Sequence, residues 1–209
     1  MDLSNDEALL DKFRETRDPA LFKSLVRQYQ NRIYNSAFRI LGNAEEADEV
    51  VQETCIRMHH SIDKFARTSS LSAWVFRIVH NTCMDMIRNR SRKKTAIPFD
   101  PQAAEESAPE GSGGGGILAQ APDPSPGPAE RLDKNEQSEI VAEMLKLLPE
   151  SQRIVMVLHD VEGFSYQEVA DIVGEKLGTV RSRIHYGRIK MRELLEPYYM
   201  SNTITQTSR

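Results

Sequence analysis

FSYQEVADIVGEKLGTVRSRIHYGRIKMREL, Phe164 to Leu194, carries the strongest structural signal in the chain. Val169 and Ala170 fall mid-helix, and the small Ala170 lets a partner helix approach closely. Gly174 follows where a left-handed residue ends a first helix. Gly178 and Thr179 mark the start of a second helix, and Leu177, Val180 and Ile184 supply its inward contacts. Val180, Ile184, Gly187, Met191 and Leu194 recur at helical spacing as one buried stripe. Two short helices meeting across a glycine turn are a helix-turn-helix. The opposite stripe carries Arg181, His185, Arg188 and Arg192, flanked by Ser182, Arg183 and Lys190. From Lys176 to Arg192 there are six Lys or Arg and no acid, in a chain whose net charge is −4. A helix so dressed fits a DNA major groove: Thr179 and the first N–H groups meet phosphate, while Arg181, Ser182 and His185 reach base edges. The alternative is a solvated cationic face, although no Glu stands at four-residue spacing to pair with it before Glu193.

The 209 residues are 39% apolar and 28% charged, ordinary for a globular protein and enough for one medium or two small cores. Few aromatics and no alternating β-branched runs argue against a β protein. The fold class expected is all-α. No apolar stretch is long enough to span a bilayer and MDLSNDEALLDKF lacks a secretory layout, so the expected location is the cytoplasm, without membrane insertion. Two cysteines, both inside helical patterns, read as reduced and structural.

Pro98 to Pro128 holds most of the proline and the run Gly113 to Gly116, which reads as a linker that cannot bury enough surface to offset its ordering entropy. The expected organisation is a helical domain over 1–95, an acidic Pro/Gly-rich linker over 96–131, a helix-turn-helix domain over 132–200 and a disordered tail over 201–209. In the first domain the patterns predict helices over Asp6–Phe13, from Asp18 and Pro19 to Gly42, over Glu46–Ile62, and over Leu71–Asn89 with Ser70 as cap. In the second they predict Ala129–Leu148, Glu150–Val161, Ser165–Val173 and Thr179 to about Leu195.

Three further clusters call for explanation. RNRSRKK, Arg88 to Lys94, is a second basic footprint, beside which Phe65, Trp74 and Phe76 can stack on exposed bases. A solvated helix end and, for Trp74, a place in the core are the simpler readings. Glu45 and Glu46 suit a helix N-terminus, yet Asp48, Glu49, Gln52 and Glu53 carry the polar face past the first turn, which points to a protein partner with basic groups. Cys55 with His59 and His80 with Cys83 have helical spacings that two neighbouring helices can bring around zinc, but both cysteines also fit apolar registers. No phosphate-binding loop or hydrolytic motif is present, so neither an enzyme nor a cofactor is expected.

Outside the linker the chain resembles the extracytoplasmic-function (ECF) group of the sigma-70 family of bacterial RNA polymerase sigma factors. EADEVVQETCIRMHHSIDKF and SLSAWVFRIVHNTCMDMIRNRSRK resemble its region 2. LLPESQRIVMVLHDVEGFSYQEVADIVGEKLGTVRSRIHYGRIKMREL resembles its region 4, except that Glu175 and Lys176 precede Leu177 where an apolar residue and proline are usual. The resemblance implies a non-enzymatic factor that binds core RNA polymerase and directs initiation at promoters. Asp48, Glu49, Gln52 and Glu53 would dock on the clamp helices of the largest subunit, and region 4 would also meet the flap region. Residues 62–77 would serve strand opening, with Phe65, Trp74, Arg77, Asn81, Arg88 and Arg90 at the −10 element and Asn81 holding an extruded base. Thr179, Arg181, Ser182, Arg183, His185, Arg188, Lys190 and Arg192 would serve the −35 element. An anti-sigma factor is an expected partner. The alternative function is a two-domain regulator that binds operator DNA without polymerase.

Overall fold

The computed structural model describes residues 3–96 and 140–206, and every regular element in them is helical. The N-terminal unit comprises α1 (Leu3–Thr16), α2 (Pro19–Leu41), α3 (Ala44–Ser61) and α4 (Leu71–Ala96). The C-terminal unit comprises α5 over 140–146, α6 (Glu150–Met156), α7 (Tyr166–Val173) and α8 (Leu177–Gln206). Residues 97–131 of the expected linker lie outside the described residues, as does the first part of the helix expected over Ala129–Leu148.

The caps explain the helix limits. Asp18 accepts a hydrogen bond from the Ala20 N–H at 2.8 Å with Pro19 opening α2, and Gly42, at φ 71°, ends it by donating to the Phe38 carbonyl. Between them Leu25, Tyr29, Ile33, Ala37 and Ile40 bury one face, each large apolar side chain contributing about 1.5–3 kcal/mol. Asn43 caps α3 by accepting from the Glu46 N–H at 2.9 Å, so the helix starts at Ala44 rather than Glu46. Ser70 accepts from the Ala73 N–H at 3.2 Å at the head of α4. That helix runs past Asn89 to Ala96, and two contacts fasten its basic end: Arg90 donates to both carboxylate oxygens of Glu46 on α3, and to the Leu41 carbonyl at the end of α2.

In the C-terminal unit the helix expected over Glu150–Val161 changes character. α6 stops at Met156, and Val157–Val161 form a π-type turn in which the Glu162 N–H reaches the Val157 carbonyl at 3.0 Å. A capping box opens α7: Ser165 Oγ accepts from the Glu168 N–H at 3.2 Å, and the Glu168 carboxylate accepts from the Ser165 N–H at 2.9 Å. α8 begins at Leu177, two residues before the start expected at Thr179, with the Val180 N–H donating to the Lys176 carbonyl. It continues to Gln206, so the tail expected to be disordered over 201–209 is helical through that residue.

The two units pack directly on each other, α4 against α7 and α2 against the π turn. Phe76 meets Phe164 edge-on at 5.2 Å. The π turn delivers Glu162 into the interface, where its carboxylate accepts from Arg32 at 2.9 Å and from the Ser36 hydroxyl. Arg32 also lies over the Phe76 ring at 5.0 Å.

Candidate nucleic-acid interface

The helix-turn-helix forms as its sequence directs. Gly174, at φ 72°, donates to the Ala170 carbonyl at 2.9 Å, and the Glu175 N–H shares that acceptor. Val169, Ala170 and Ile172 of α7 and Val180, Ile184 and Met191 of α8 are buried. Gly187 lets α8 lie tightly on α6, since a Cβ there would stand 2.5 Å from Met156 Sδ. The opposite face of α8 is exposed at Arg181, Ser182, His185, Arg188, Lys190 and Arg192, with Thr179 and Arg183 half-buried.

These cations are not equivalent. Arg183 pairs with Glu175 at 3.2 Å across the turn, Arg188 with Asp160 of the π turn, and Lys190 with Glu193 at 3.0 Å. The Asp160 hydrogen bond holds Arg188 more firmly in its charged form. Arg181 and Arg192 make no ion pair among the described residues, and Arg181 shares the first turns of α8 with Ser182 and His185. Of these two arginines, Arg181 lies in the first turns of α8 and Arg192 further along the same face.

In the N-terminal unit, α4 presents Arg77 and Asn81 on an exposed edge, with Arg88 two turns further on, paired to Asp85 at 2.9 Å. Three of the residues grouped there from sequence lie elsewhere. Phe65 is 5% exposed, packed on Trp74 at 5.3 Å with Arg14 over its ring, and Phe76 is wholly buried against Phe164. Neither ring is presented for base stacking; Trp74 is half-buried. Arg90 is the third, engaged by Glu46 and Leu41 rather than turned out. Arg77 and Asn81 line an open crevice of about 500 Å³ whose other wall is Asp171, Val173, Gly174 and Glu175 of the C-terminal unit.

On α3, Asp48, Glu49 and Gln52 are exposed, and Glu53 pairs with Arg57 at 2.6 Å. Ile56, 52% exposed, lies one turn beyond Gln52 on the same face, an apolar residue that sequence reading passed over because it breaks no register. The candidate zinc ligands do not converge. Cys83 is buried, with its thiol pushed up to about 12 by desolvation, and His59 packs edge-on against Phe22 at 5.1 Å. Burial likewise lowers His80 and raises Cys55. Among the described residues no three His, Cys, Asp or Glu side chains gather to hold a metal, and no helix is long and apolar enough to cross a membrane.

The chain is thus a compact helical unit with an exposed, partly acidic face on α3 and a helix-turn-helix whose outer face on α8 is basic, an arrangement that fits a DNA-binding transcription factor. Comparison with known proteins is specific. Residues 25–93 match the family model of sigma-70 region 2, and residues 138–191 match that of sigma-70 region 4. The chain is 34% identical over 187 residues to ECF RNA polymerase sigma factor SigE of Mycolicibacterium smegmatis, covering 88% of this chain and 66% of that one. It is 32% identical over 178 residues to ECF RNA polymerase sigma factor SigW of Bacillus subtilis, covering 85% and 90%. The fold is shared with the sigma factor RpoE solved in complex with the anti-sigma factor NepR from Bartonella quintana (TM-score 0.60, 24% identity, 84% of this chain and 96% of that one). It is also shared with CnrH solved with the cytosolic domain of CnrY (TM-score 0.61, 23% identity, 92% and 97%).

The chain belongs to the sigma-70 family, in its ECF group, and is a sigma factor, a protein that directs promoter recognition by RNA polymerase. The N-terminal unit is thus region 2 rather than the sensor or dimerisation unit that an operator-binding regulator would carry.

Proposed function

We propose that this sigma factor binds core RNA polymerase through the face of α3 bearing Asp48, Glu49 and Gln52, reads the −35 element with the first turns of α8, and holds the −10 strand along Arg77 and Asn81. The observation that carries the reading is the division of labour on α8. Arg183, Arg188 and Lys190 already have acidic partners and suit phosphate positioning, while Arg181, Ser182 and His185 stand exposed where base edges are read. Glu53, paired to Arg57, steadies the docking face.

The crevice between the units adds a condition. Arg77 and Asn81 face Asp171 and Glu175 across it, so a DNA strand laid there would bring its phosphates against two carboxylates. Engagement of the −10 element requires region 4 to swing away from α4. Polymerase, by holding the two units apart on its own surface, would supply that separation and raise the effective concentration of each reader at its element. An anti-sigma factor is the expected antagonist, by analogy with the sigma factor RpoE, which was solved with the anti-sigma factor NepR.

Run-off transcription with purified core polymerase and the full chain tests this. Promoter-dependent transcripts that disappear on charge reversal of Asp48 and Glu49, with the helical fold retained, are expected. Polymerase-independent binding to a symmetric operator would refute it.

A further inference from the structure

We propose that Asp11 and Arg14 of α1 and Arg17 just beyond its end are positioning residues that fix the shape of the loop Ile62–Ser70 and, through it, the base preference at the −10 element. The inference rests on the reading that region 2 holds the −10 strand. α1 precedes the matched region 2 segment, which begins at residue 25, so the family match assigns it no part in that task.

One helix end reaches the loop at four of its residues. Arg14 Nη2 donates to the Ile62 carbonyl at 2.6 Å and to the Phe65 carbonyl at 2.7 Å, and its guanidinium lies over the Phe65 ring at 6.0 Å. Arg17 donates to the Asp63 carboxylate at 3.0 Å, and Asp11 accepts from Arg67. The two outer pairs are of opposite sense: Arg17, just after α1, supplies the cation to Asp63, and Asp11 of α1 the anion to Arg67. Exchanging the two partners, Asp63 for Arg67, would set like charges facing at both ends, so the pattern favours one seating of the loop.

Backbone geometry points the same way. Arg17 and Arg67 are the described non-glycine residues with positive φ, both at 56°, a conformation disfavoured for a side chain with a Cβ. Each belongs to one of the two outer pairs, so the strain is retained at the positions where α1 and the loop grip each other. Elsewhere the loop is held at its ends, by burial of Ile62 and Phe65 and by the Ser70 cap of α4, while its own Phe65 N–H to Ile62 carbonyl bond is long at 3.4 Å. The clamp holds the base of the loop, and Ala66, Arg67 and Thr68 stand exposed at its tip before α4 carries the chain to Arg77 and Asn81. A tip of fixed shape discriminates between bases. A loose one can re-pack around other bases, which broadens selectivity.

The test is transcription from a promoter library randomised over both elements, by core polymerase reconstituted with the full chain, followed by sequencing of the transcribed templates. Arg14→Met should flatten base preference at the −10 element by about tenfold, as expected for lost charged hydrogen bonds, while leaving the −35 preference intact. Arg14→Lys, which keeps a charged donor on a shorter side chain without the planar group over Phe65, should restore part of it. Arg17→Asp alone should also flatten the −10 profile, and adding Asp63→Arg should restore it; both groups are surface-exposed, so this pair keeps the test alive if Arg14→Met fails to fold. Unchanged −10 preference in Arg14→Met and Arg17→Asp, or equal loss at both elements, would overturn the inference. Asn81→Ala separates the two levels. If it alters the −10 profile and the α1 variants do not, only the clamp is wrong; if it too leaves the profile unchanged, the reading of region 2 fails and the clamp falls with it.

Discussion

Arg32 and Glu162, 130 positions apart in the chain, form a salt bridge of 2.9 Å across the boundary between the two helical units, and the Glu162 side chain is only 6% exposed. A carboxylate so far out of water is tolerated because Arg32 and the Ser36 hydroxyl both donate to it. Glu162→Ala removes the anion and leaves the half-buried Arg32 facing Phe76. The expected cost is about 1–3 kcal/mol, below the range for a fully buried pair because water still reaches Arg32. Glu162→Gln, which keeps an acceptor for Ser36, should cost less. Urea unfolding followed by far-UV circular dichroism measures both, and in the Ala variant the units should melt as two separated transitions.

Gly187 sits where α8 presses on Met156. Gly187→Ala gains helix propensity of about 1 kcal/mol but drives a methyl into Met156 Sδ, an overpacking cost of about 1–3 kcal/mol. Net destabilisation is expected. Met156→Ala made with it should cost less than the sum of the two single changes, a coupling that a double-mutant cycle measures directly.

Cys83 gives the stability an alkaline edge. Its thiol is raised to about 12 in the folded chain, above its ordinary value, so the native state holds its proton more tightly than the unfolded state. The contribution is complete below the unfolded pKa and is lost as pH rises from there through the folded value. Urea midpoints should therefore fall between pH 8 and pH 10, and less steeply in Cys83→Ala. In the native protein the same burial should keep Cys83 unreactive toward a thiol reagent until unfolding.

Arg181 and Arg188 occupy one face of α8 but differ in state, one without an ion pair and the other tied to Asp160. Arg181→Ala should cost about 1–3 kcal/mol on the preferred −35 sequence and much less on altered ones. Arg188→Ala should weaken binding by a similar factor on every sequence. Holoenzyme affinities for a set of single-base −35 variants distinguish the two patterns.

Much of this was legible in the sequence, for physical reasons that also mark its limits. Caps and breakers are local, so Asp18, Pro19, Gly42, Ser70 and Gly174 delimit helices where they stand. The buried stripe of α8 is a matter of period, and it too reads directly. Phe65, Phe76 and Arg90 were misplaced because composition tells that aromatic and basic groups are near one another but not which way they turn. Only the fold sets Phe76 against Phe164 and gives Arg90 to Glu46, 44 positions away. The π turn that buries Glu162, and the grip of α1 on the loop, likewise depend on contacts between distant segments that no periodicity records.

The most direct measurement places α8 and α4 on promoter DNA. An iron chelate attached at His185→Cys, in a Cys55→Ser background with Cys83 left buried, cleaves DNA within its reach in the complex with core polymerase. Cuts confined to the −35 element from His185→Cys, and to the −10 element from a chelate at Asn81→Cys, are the result expected. Cleavage at the same element from both positions, or none from His185→Cys while transcription proceeds, would contradict the assignment.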